Sequence, residues 1–209
     1  IGYIPRSKSA AKAHVTFSVP TTTSSDFITL EAGLVCLGRQ DNTSYRFSTP
    51  QDITASVVNG VAQFGTADKP IEICQGSYLT RQFLVNTSVD QRFILDNPNI
   101  DTSTITVFVK GINDTGLGIE YKKVDNILNI DKTSEIFLLQ EVQDEHYELL
   151  FGDGYFGKEV ENNAVITVRY IVTDGESGNG PSVFDFQGNF VDQSNVRVIP
   201  TASVPVTTI

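Results

Sequence analysis

The stretch that decides the fold is residues 147–175, YELLFGDGYFGKEVENNAVITVRYIVTDG. It begins with the apolar run Tyr147–Phe151, and its second half contains the run Ala164–Val172, in which apolar residues alternate with others. Alternation with a period of two residues is typical of a β-strand that buries one face. The segment Gly152–Gly157 between the runs contains Asp-Gly, which favours a tight turn. The stretch therefore predicts a strand, a turn and a second strand.

The same alternation recurs elsewhere, in Ala13–Val19 and in Thr104–Lys110. The run Ile136–Leu139 is apolar on both faces, as expected of a covered central strand. The best helical candidate, Tyr121–Ile130, is short and rich in Asn and Asp, and it predicts a single helical turn at most. Together with many β-branched and aromatic residues, these patterns predict an all-β protein. We expect antiparallel, sandwich-like or barrel-like lobes with long loops and little helix.

A change of pattern near Asp96–Asp101 suggests two lobes. The first is predicted over residues 1–95, and the second, over residues 96–174, contains the glycine-rich turn. Whether residues 175–209 return to complete the first lobe stays open at this level. The chain begins without Met and ends inside a Val/Thr/Ile run, so we expect it to be a piece of a longer protein.

Charge and cysteine content exclude several classes of partner. The formal net charge is −10, from 25 acidic against 15 basic residues, and no cluster of Lys and Arg is present to bind phosphates. No apolar stretch approaches the length needed to cross a membrane as a helix. Cys36 and Cys74 each lie in an apolar run, where a free thiol packs as a small hydrophobic group. The sequence thus predicts no nucleic-acid partner, no membrane partner and no zinc site.

The segment Gly152–Gly157 also has the spacing G-x-G-x-x-G, with Asp174 about twenty residues further on. A dinucleotide site needs a helix to begin at this point, and the strand-like run Ala164–Val172 leaves no room for one. His14 and His146 are predicted on the polar sides of strands. No H-E-x-x-H, G-x-S-x-G or Cys–His motif accompanies them.

A pair of carboxylates is the remaining route to catalysis, with Glu145, Glu148 and Asp153 as candidates. In so acidic a chain such grouping is expected by chance. The polar loop Asp174–Gly180 could supply oxygen ligands to a cation, but it lacks the twelve-residue pattern of an EF-hand. We therefore predict a protein that is not an enzyme and that binds no cofactor and no metal.

The order of several motifs resembles the baseplate J-like family of contractile phage tails, and its T-even-type wedge proteins in particular. That family has F-G-D-G, a further Gly, an alternating strand ending in Tyr, and a Gly-x-x-Gly-Asn loop. The opening Gly2–Ala11, and Gln91–Phe93 leading into Ile105–Lys110, are similar to the same family. One departure is Lys158–Val160, where family members often carry Pro. The motif residues here are Phe151, Gly152, Asp153, Gly154, Gly157, Tyr170, Gly175, Gly178 and Asn179.

The resemblance implies a structural component of a baseplate wedge, assembled in the host cytoplasm and carried in the virion, that joins wedges around the central hub. It implies as partners other wedge proteins and, in the full-length protein, a second copy of itself. Because glycines in such a motif are best explained by backbone geometry, we interpret its residues as structural. The isolated chain is expected to be monomeric or weakly associating. The alternative is a receptor- or glycan-binding β-sandwich of a tail fibre or adhesin.

Overall fold

The computed structural model describes residues 7–125 and 130–209, which contain eighteen β-strands. Only two short 3-10 helices, Gln143–Glu145 and Gly175–Gly178, accompany them within these ranges. The all-β prediction is confirmed. The strands are β1 (Lys12–Pro20), β2 (Phe27–Leu30), β3 (Gly33–Gln40), β4 (Thr43–Thr49), β5 (Ile53–Val58), β6 (Val61–Phe64), β7 (Ile71–Gln75), β8 (Ser77–Leu84), β9 (Phe93–Leu95), β10 (Ile100–Lys110), β11 (Ile119–Lys123), β12 (Ile136–Glu141), β13 (Tyr147–Phe151), β14 (Val165–Val172), β15 (Val183–Phe186), β16 (Phe190–Asp192), β17 (Arg197–Val198) and β18 (Val206–Thr208).

Two sequence predictions touch the ends of the described ranges. The segment Tyr121–Ile130, which allowed one helical turn at most, begins with the last three residues of strand β11, and residues 126–129 lie outside the described part. Residues 2–6, which are half of the family-like opening Gly2–Ala11, also lie outside the described part. No helix in the described part has the length and apolar character needed to cross a membrane.

The chain forms two compact units. We call residues 9–78 and 171–209 the frame unit, and Leu79–Tyr170 together with residues 7 and 8 the insert unit. The chain changes unit after Lys8, inside strand β8 and inside strand β14, and neither of the two strand positions is rich in turn residues. The lobe boundaries predicted from sequence, at 95/96 and 174/175, stay predictions.

The frame unit is built on one eleven-stranded sheet, in the order β15-β3-β4-β7-β1-β6-β5-β2-β16-β17, with β18 paired to β1. The pairings are antiparallel, as short hairpin connections allow. An isolated bridge between Asp185 and Pro205 brings the chain just before β18 to β15, so the sheet is nearly closed. Inside, Phe17 stacks on Phe64 with ring centroids 5.2 Å apart. The predicted inward face of β1 is found there, since Val15, Phe17 and Val19 are all buried.

The insert unit is a seven-stranded sheet in the order β8-β14-β10-β11-β12-β13-β9. Strands β11 and β12 pair in parallel, and the β10–β11, β12–β13 and β13–β9 pairs are antiparallel. The strand covered on both faces is β10, where Thr104 and Thr106 are buried along with the apolar residues. Strand β12 lies inside the sheet between β11 and β13, but Leu138 and Leu139 are only half-buried, so the strand is not fully covered as predicted. Threonine suits a buried strand because it is β-branched and can bond locally, as Thr104 does to the Asp101 carbonyl at 2.7 Å.

Candidate functional site

The F-G-D-G motif forms a compact turn at the end of strand β13. The Asp153 carboxylate accepts hydrogen bonds from the N–H groups of Tyr155 and Phe156, both at 2.9 Å. These bonds hold the pKa of Asp153 below its usual value. The Gly154 N–H donates to the Gly157 carbonyl at 3.1 Å and closes the turn. No helix begins here, so the N-terminal amides that a dinucleotide would need are missing from this turn.

Two glycines of the turn are required for different physical reasons. A Cβ on Gly152 would lie 2.2 Å from the carbonyl carbon of Gly157, so the two backbone segments pass too close for any side chain. Gly154 instead has φ +82°, and a Cβ there would meet nothing nearer than 3.7 Å. Its requirement is conformational, because L-residues rarely adopt positive φ.

Hydrogen bonds join this turn to a second turn at residues 131–134. The Gly157 N–H donates to the Asp131 carbonyl at 3.0 Å, and the Lys158 N–H donates to the Ser134 carbonyl at 2.8 Å. The Asp131 carboxylate in turn accepts the N–H and hydroxyl of Thr133, at 2.8 and 2.7 Å, which lower the pKa of Asp131. Lys158 also pairs with Glu135, with 2.9 Å between Nζ and Oε1. Two turns are thus held together through backbone and side chains.

The aromatic members of the motif pack within the insert unit, Tyr170 buried and Phe151 half-buried. The Phe151 ring packs edge-on against Phe93 and Tyr121, with centroids 5.5 and 5.9 Å apart. Tyr170 is buried, and its hydroxyl oxygen accepts a hydrogen bond from the Asn97 amide at 2.9 Å. Burial raises the pKa of Tyr170. These two side chains therefore stabilise the sheet from inside.

The glycine-rich loop after β14 is organised in the frame unit by Gln75, a buried residue that the sequence analysis missed. Its side-chain oxygen accepts the Thr173 hydroxyl at 2.8 Å and the Asp174 N–H at 3.1 Å. Its amide nitrogen donates to the Asp174 carboxylate at 2.9 Å. A Cβ on Gly178 would lie 2.3 Å from Gln75 Cγ, so Gly178 packs directly on this side chain. The one sequence signal was a polar amide closing the apolar run Ile71–Gln75.

The remaining motif residues take their positions from the backbone. Gly175 has φ +68°, and its N–H donates to Thr173 Oγ1 at 3.0 Å. The Asn179 N–H donates to the Glu176 carbonyl at 3.0 Å. The motif is therefore divided between the units, with Phe151–Gly157 and Tyr170 in the insert unit and Gly175–Asn179 in the frame unit. In both groups the bonds on these residues serve to fix the chain path.

The carboxylates proposed for catalysis are engaged in structural bonds or exposed. Glu148 is buried and makes two hydrogen bonds to the Arg92 guanidinium, each 2.7 Å, which hold the pKa of Glu148 low. Asp153 binds backbone N–H groups, and Glu145 is exposed in the short 3-10 helix. His14 is exposed, with its Nε2 3.6 Å from Glu72. Across residues 7–125 and 130–209, no group of three or more His, Cys, Asp or Glu side chains could hold a metal ion.

The turn geometry predicts how its glycines respond to substitution. Gly154→Val should lower the free energy of unfolding by about 1–3 kcal/mol, because it places a β-branched residue at positive φ. Gly152→Ala should cost at least as much, because its methyl meets backbone that cannot rotate away. Gly154→Asn is the matched control and should cost less, since Asn tolerates this region. Thermal melting measures all three, and an unchanged melting temperature for Gly154→Val would contradict the assigned turn.

The lowered pKa values predict loss of stability in acid. Glu148 is held below its ordinary value of 4.5, and Asp131 and Asp153 below 3.8. A group with a depressed folded-state pKa contributes its full stability above the unfolded value and loses it as pH falls through the folded value. We expect the melting temperature to fall as pH drops below about 4.5.

Glu148→Gln should be less stable at pH 7 and lose less stability on acidification, whereas the exposed loop variant Asp68→Asn should follow the unmodified chain. Parallel pH profiles for Glu148→Gln and the unmodified chain would refute this assignment.

Comparison with known proteins agrees with this architecture. Residues 79–175 match the family described as the third domain of bacteriophage baseplate wedge protein gp6. This match starts where the insert unit starts and ends shortly after Tyr170. Over 95% of its length, the chain is also 23% identical to baseplate wedge protein gp6 of Enterobacteria phage T4, of which it spans 31%. By these two matches, residues 79–175 are similar to the third domain of gp6, and the chain is similar to part of a T4 baseplate wedge protein.

Proposed function

We propose that this chain is a structural part of a contractile-tail baseplate wedge, carried in the virion, and that the full-length protein joins neighbouring wedges around the central hub. The observation that carries the proposal is the similarity to a T4 baseplate wedge protein over 95% of the chain. Because the chain spans 31% of that relative, the role of the whole protein is inferred from a part of it.

The physical character of the chain supports a structural role. Its strands are joined into two large sheets, and its irregular segments are fixed by buried or backbone-bonded side chains such as Gln75 and Asp153. Ladders of hydrogen bonds resist shear along the strands, and turns locked by positive φ do not slide in register. Each sheet is therefore suited to bear load within an assembly.

We also propose that the chain performs no catalysis. Glu148 and Asp153 are charged at neutral pH and committed to Arg92 and to backbone amides, so neither is available as a proton donor. The receptor- or glycan-binding alternative would be favoured by aromatic side chains lining a shallow groove. In the described part of the chain, the most exposed aromatic rings, Tyr155 and Phe156, lie instead on the turn that follows β13.

The proposed partners are other wedge proteins and, in the full-length protein, a second copy of itself. For the isolated chain we expect a monomer or weak association, because a net charge of −10 opposes close approach of two copies at low salt. Light scattering over a series of protein and salt concentrations measures this. A tight dimer at micromolar concentration that is insensitive to salt would show that the chain itself carries a pairing surface.

Location in the particle tests the central proposal. The full-length protein carrying an epitope tag should be found in purified virions of its phage, and gold-labelled antibody should mark the baseplate end of the tail in electron micrographs. Tailless heads from the same lysate are the matched control and should lack both the protein and the label. Label along a tail fibre, or absence of the protein from intact tails, would overturn the wedge assignment.

A further inference from the structure

The turn at Asp153 presents two aromatic side chains to solvent. Tyr155 is 82% exposed and Phe156 is 56% exposed, and in the described part of the chain they are the one pair of exposed large apolar residues adjacent in sequence. The others, such as Ile112 and Ile199, occur singly, which is normal for a protein surface. The fold does not explain two exposed aromatic residues next to each other in sequence.

The aromatic side chains are not needed to form the turn. Asp153 bonds to the backbone N–H groups of Tyr155 and Phe156, and any residue other than Pro would offer these groups. The remaining conformational requirements fall on Gly152, Gly154 and Gly157. Small polar residues would therefore satisfy the turn equally well and would avoid exposing apolar surface to water.

The rings are also held on a stiff support. The turn is closed by the Gly154–Gly157 hydrogen bond and fastened through Gly157 and Lys158 to the 131–134 turn. A backbone fixed before binding loses little conformational entropy on association. Large aromatic side chains presented in this way are the residues that most often dominate the energy of a protein interface.

The charges around the rings indicate the chemistry of the partner. The carboxylates of Asp131 and Asp153 bind N–H and hydroxyl groups, and a Glu159 carboxylate oxygen lies 3.7 Å from the position of a Cβ on Gly154. None of the three forms an ion pair with a Lys or Arg in residues 7–125 and 130–209, whereas the nearby Lys158 is paired with Glu135. The turn that carries the rings therefore has two carboxylates without an ion pair, Asp153 and Glu159, and these favour a positively charged rim on the opposite surface.

We propose that Tyr155 and Phe156 insert into an apolar pocket, rimmed by Lys or Arg, on a different protein of the same baseplate wedge. A second copy of this chain fits less well, because the chain is strongly acidic. The inference rests on the proposed function and adds to it the contact surface and the chemistry of the partner.

A photo-crosslinker at the contact position tests the proposal directly. Tyr155 of the full-length protein is replaced by a benzophenone amino acid, and the protein is expressed together with the other wedge proteins of its phage. After irradiation we expect one main crosslink to a different wedge protein, at a peptide of apolar residues next to Lys or Arg. The same substitution at exposed Ile199 in the frame unit is the control and should not give that crosslink. A crosslink to a second copy of the chain, or none in assembled wedges, would overturn the proposal.

Two sets of variants test the energetics. Tyr155→Ser with Phe156→Ser should leave the melting temperature of the chain unchanged and reduce incorporation into purified wedges at least tenfold. The matched pair Val196→Ser with Ile199→Ser also removes two exposed apolar side chains and should incorporate normally. Glu159→Lys should weaken incorporation more than Glu159→Gln, because it opposes a positive rim.

The outcomes separate this inference from the proposed function. If the unmodified protein is absent from wedges, both are wrong. If the unmodified protein and the double serine variant incorporate equally, the wedge role stands and the aromatic contact is wrong. If Glu159→Lys incorporates as well as or better than the unmodified protein, the positively charged rim is wrong.

Discussion

In an all-β protein, a backbone N–H group that lies outside the sheet and is shielded from water needs a hydrogen-bond acceptor. This requirement shapes the irregular parts of the protein. After strand β13, the Asp153 carboxylate accepts hydrogen bonds from two backbone N–H groups. After strand β14, the Gln75 side-chain oxygen accepts hydrogen bonds from the Asp174 N–H and the Thr173 hydroxyl. The Gln75 acceptor serves a shielded connection, whereas Asp153 serves an exposed turn, where its bonds fix the shape of the backbone.

The local part of this arrangement could be predicted from sequence, and the long-range part could not. Alternation in Ala13–Val19 and Asp-Gly after Phe151 act over a few residues, so they identified the strand and the turn. Gln75 and Thr173 are 98 positions apart, and Arg92 and Glu148 are 56 apart, so no local pattern reports that either pair meets. The sequence pattern did not predict the burial of β10 on both faces, for a related reason. Its threonines count as polar in a pattern, but they are β-branched and fit a buried strand, and Thr104 bonds to the nearby Asp101 carbonyl.

The division into units shows a further limit of sequence patterns. Boundaries are sought where turn residues and polar residues collect, as they do near Asp96–Asp101. In the structure the chain passes between units inside β8 and β14, two neighbouring strands of one sheet. A strand shows the same alternation before and after such a point, so nothing in the local sequence marks it. The match of residues 79–175 to a separate gp6 domain supplies the information that the pattern lacks.

Asp153 connects the stability of the turn with the surface that the turn presents. Its carboxylate holds the N–H groups of Tyr155 and Phe156, and its charge also contributes to the negative surroundings of their rings. Protonation would weaken both at once, because a neutral acid is a poorer acceptor and carries no charge to attract a basic rim. The hydrogen bonds that lower the pKa of Asp153 oppose that change. One short side chain thus keeps the rings in position and keeps their surroundings negative over the same range of pH, so loss of the turn and loss of complementarity to a basic partner should coincide.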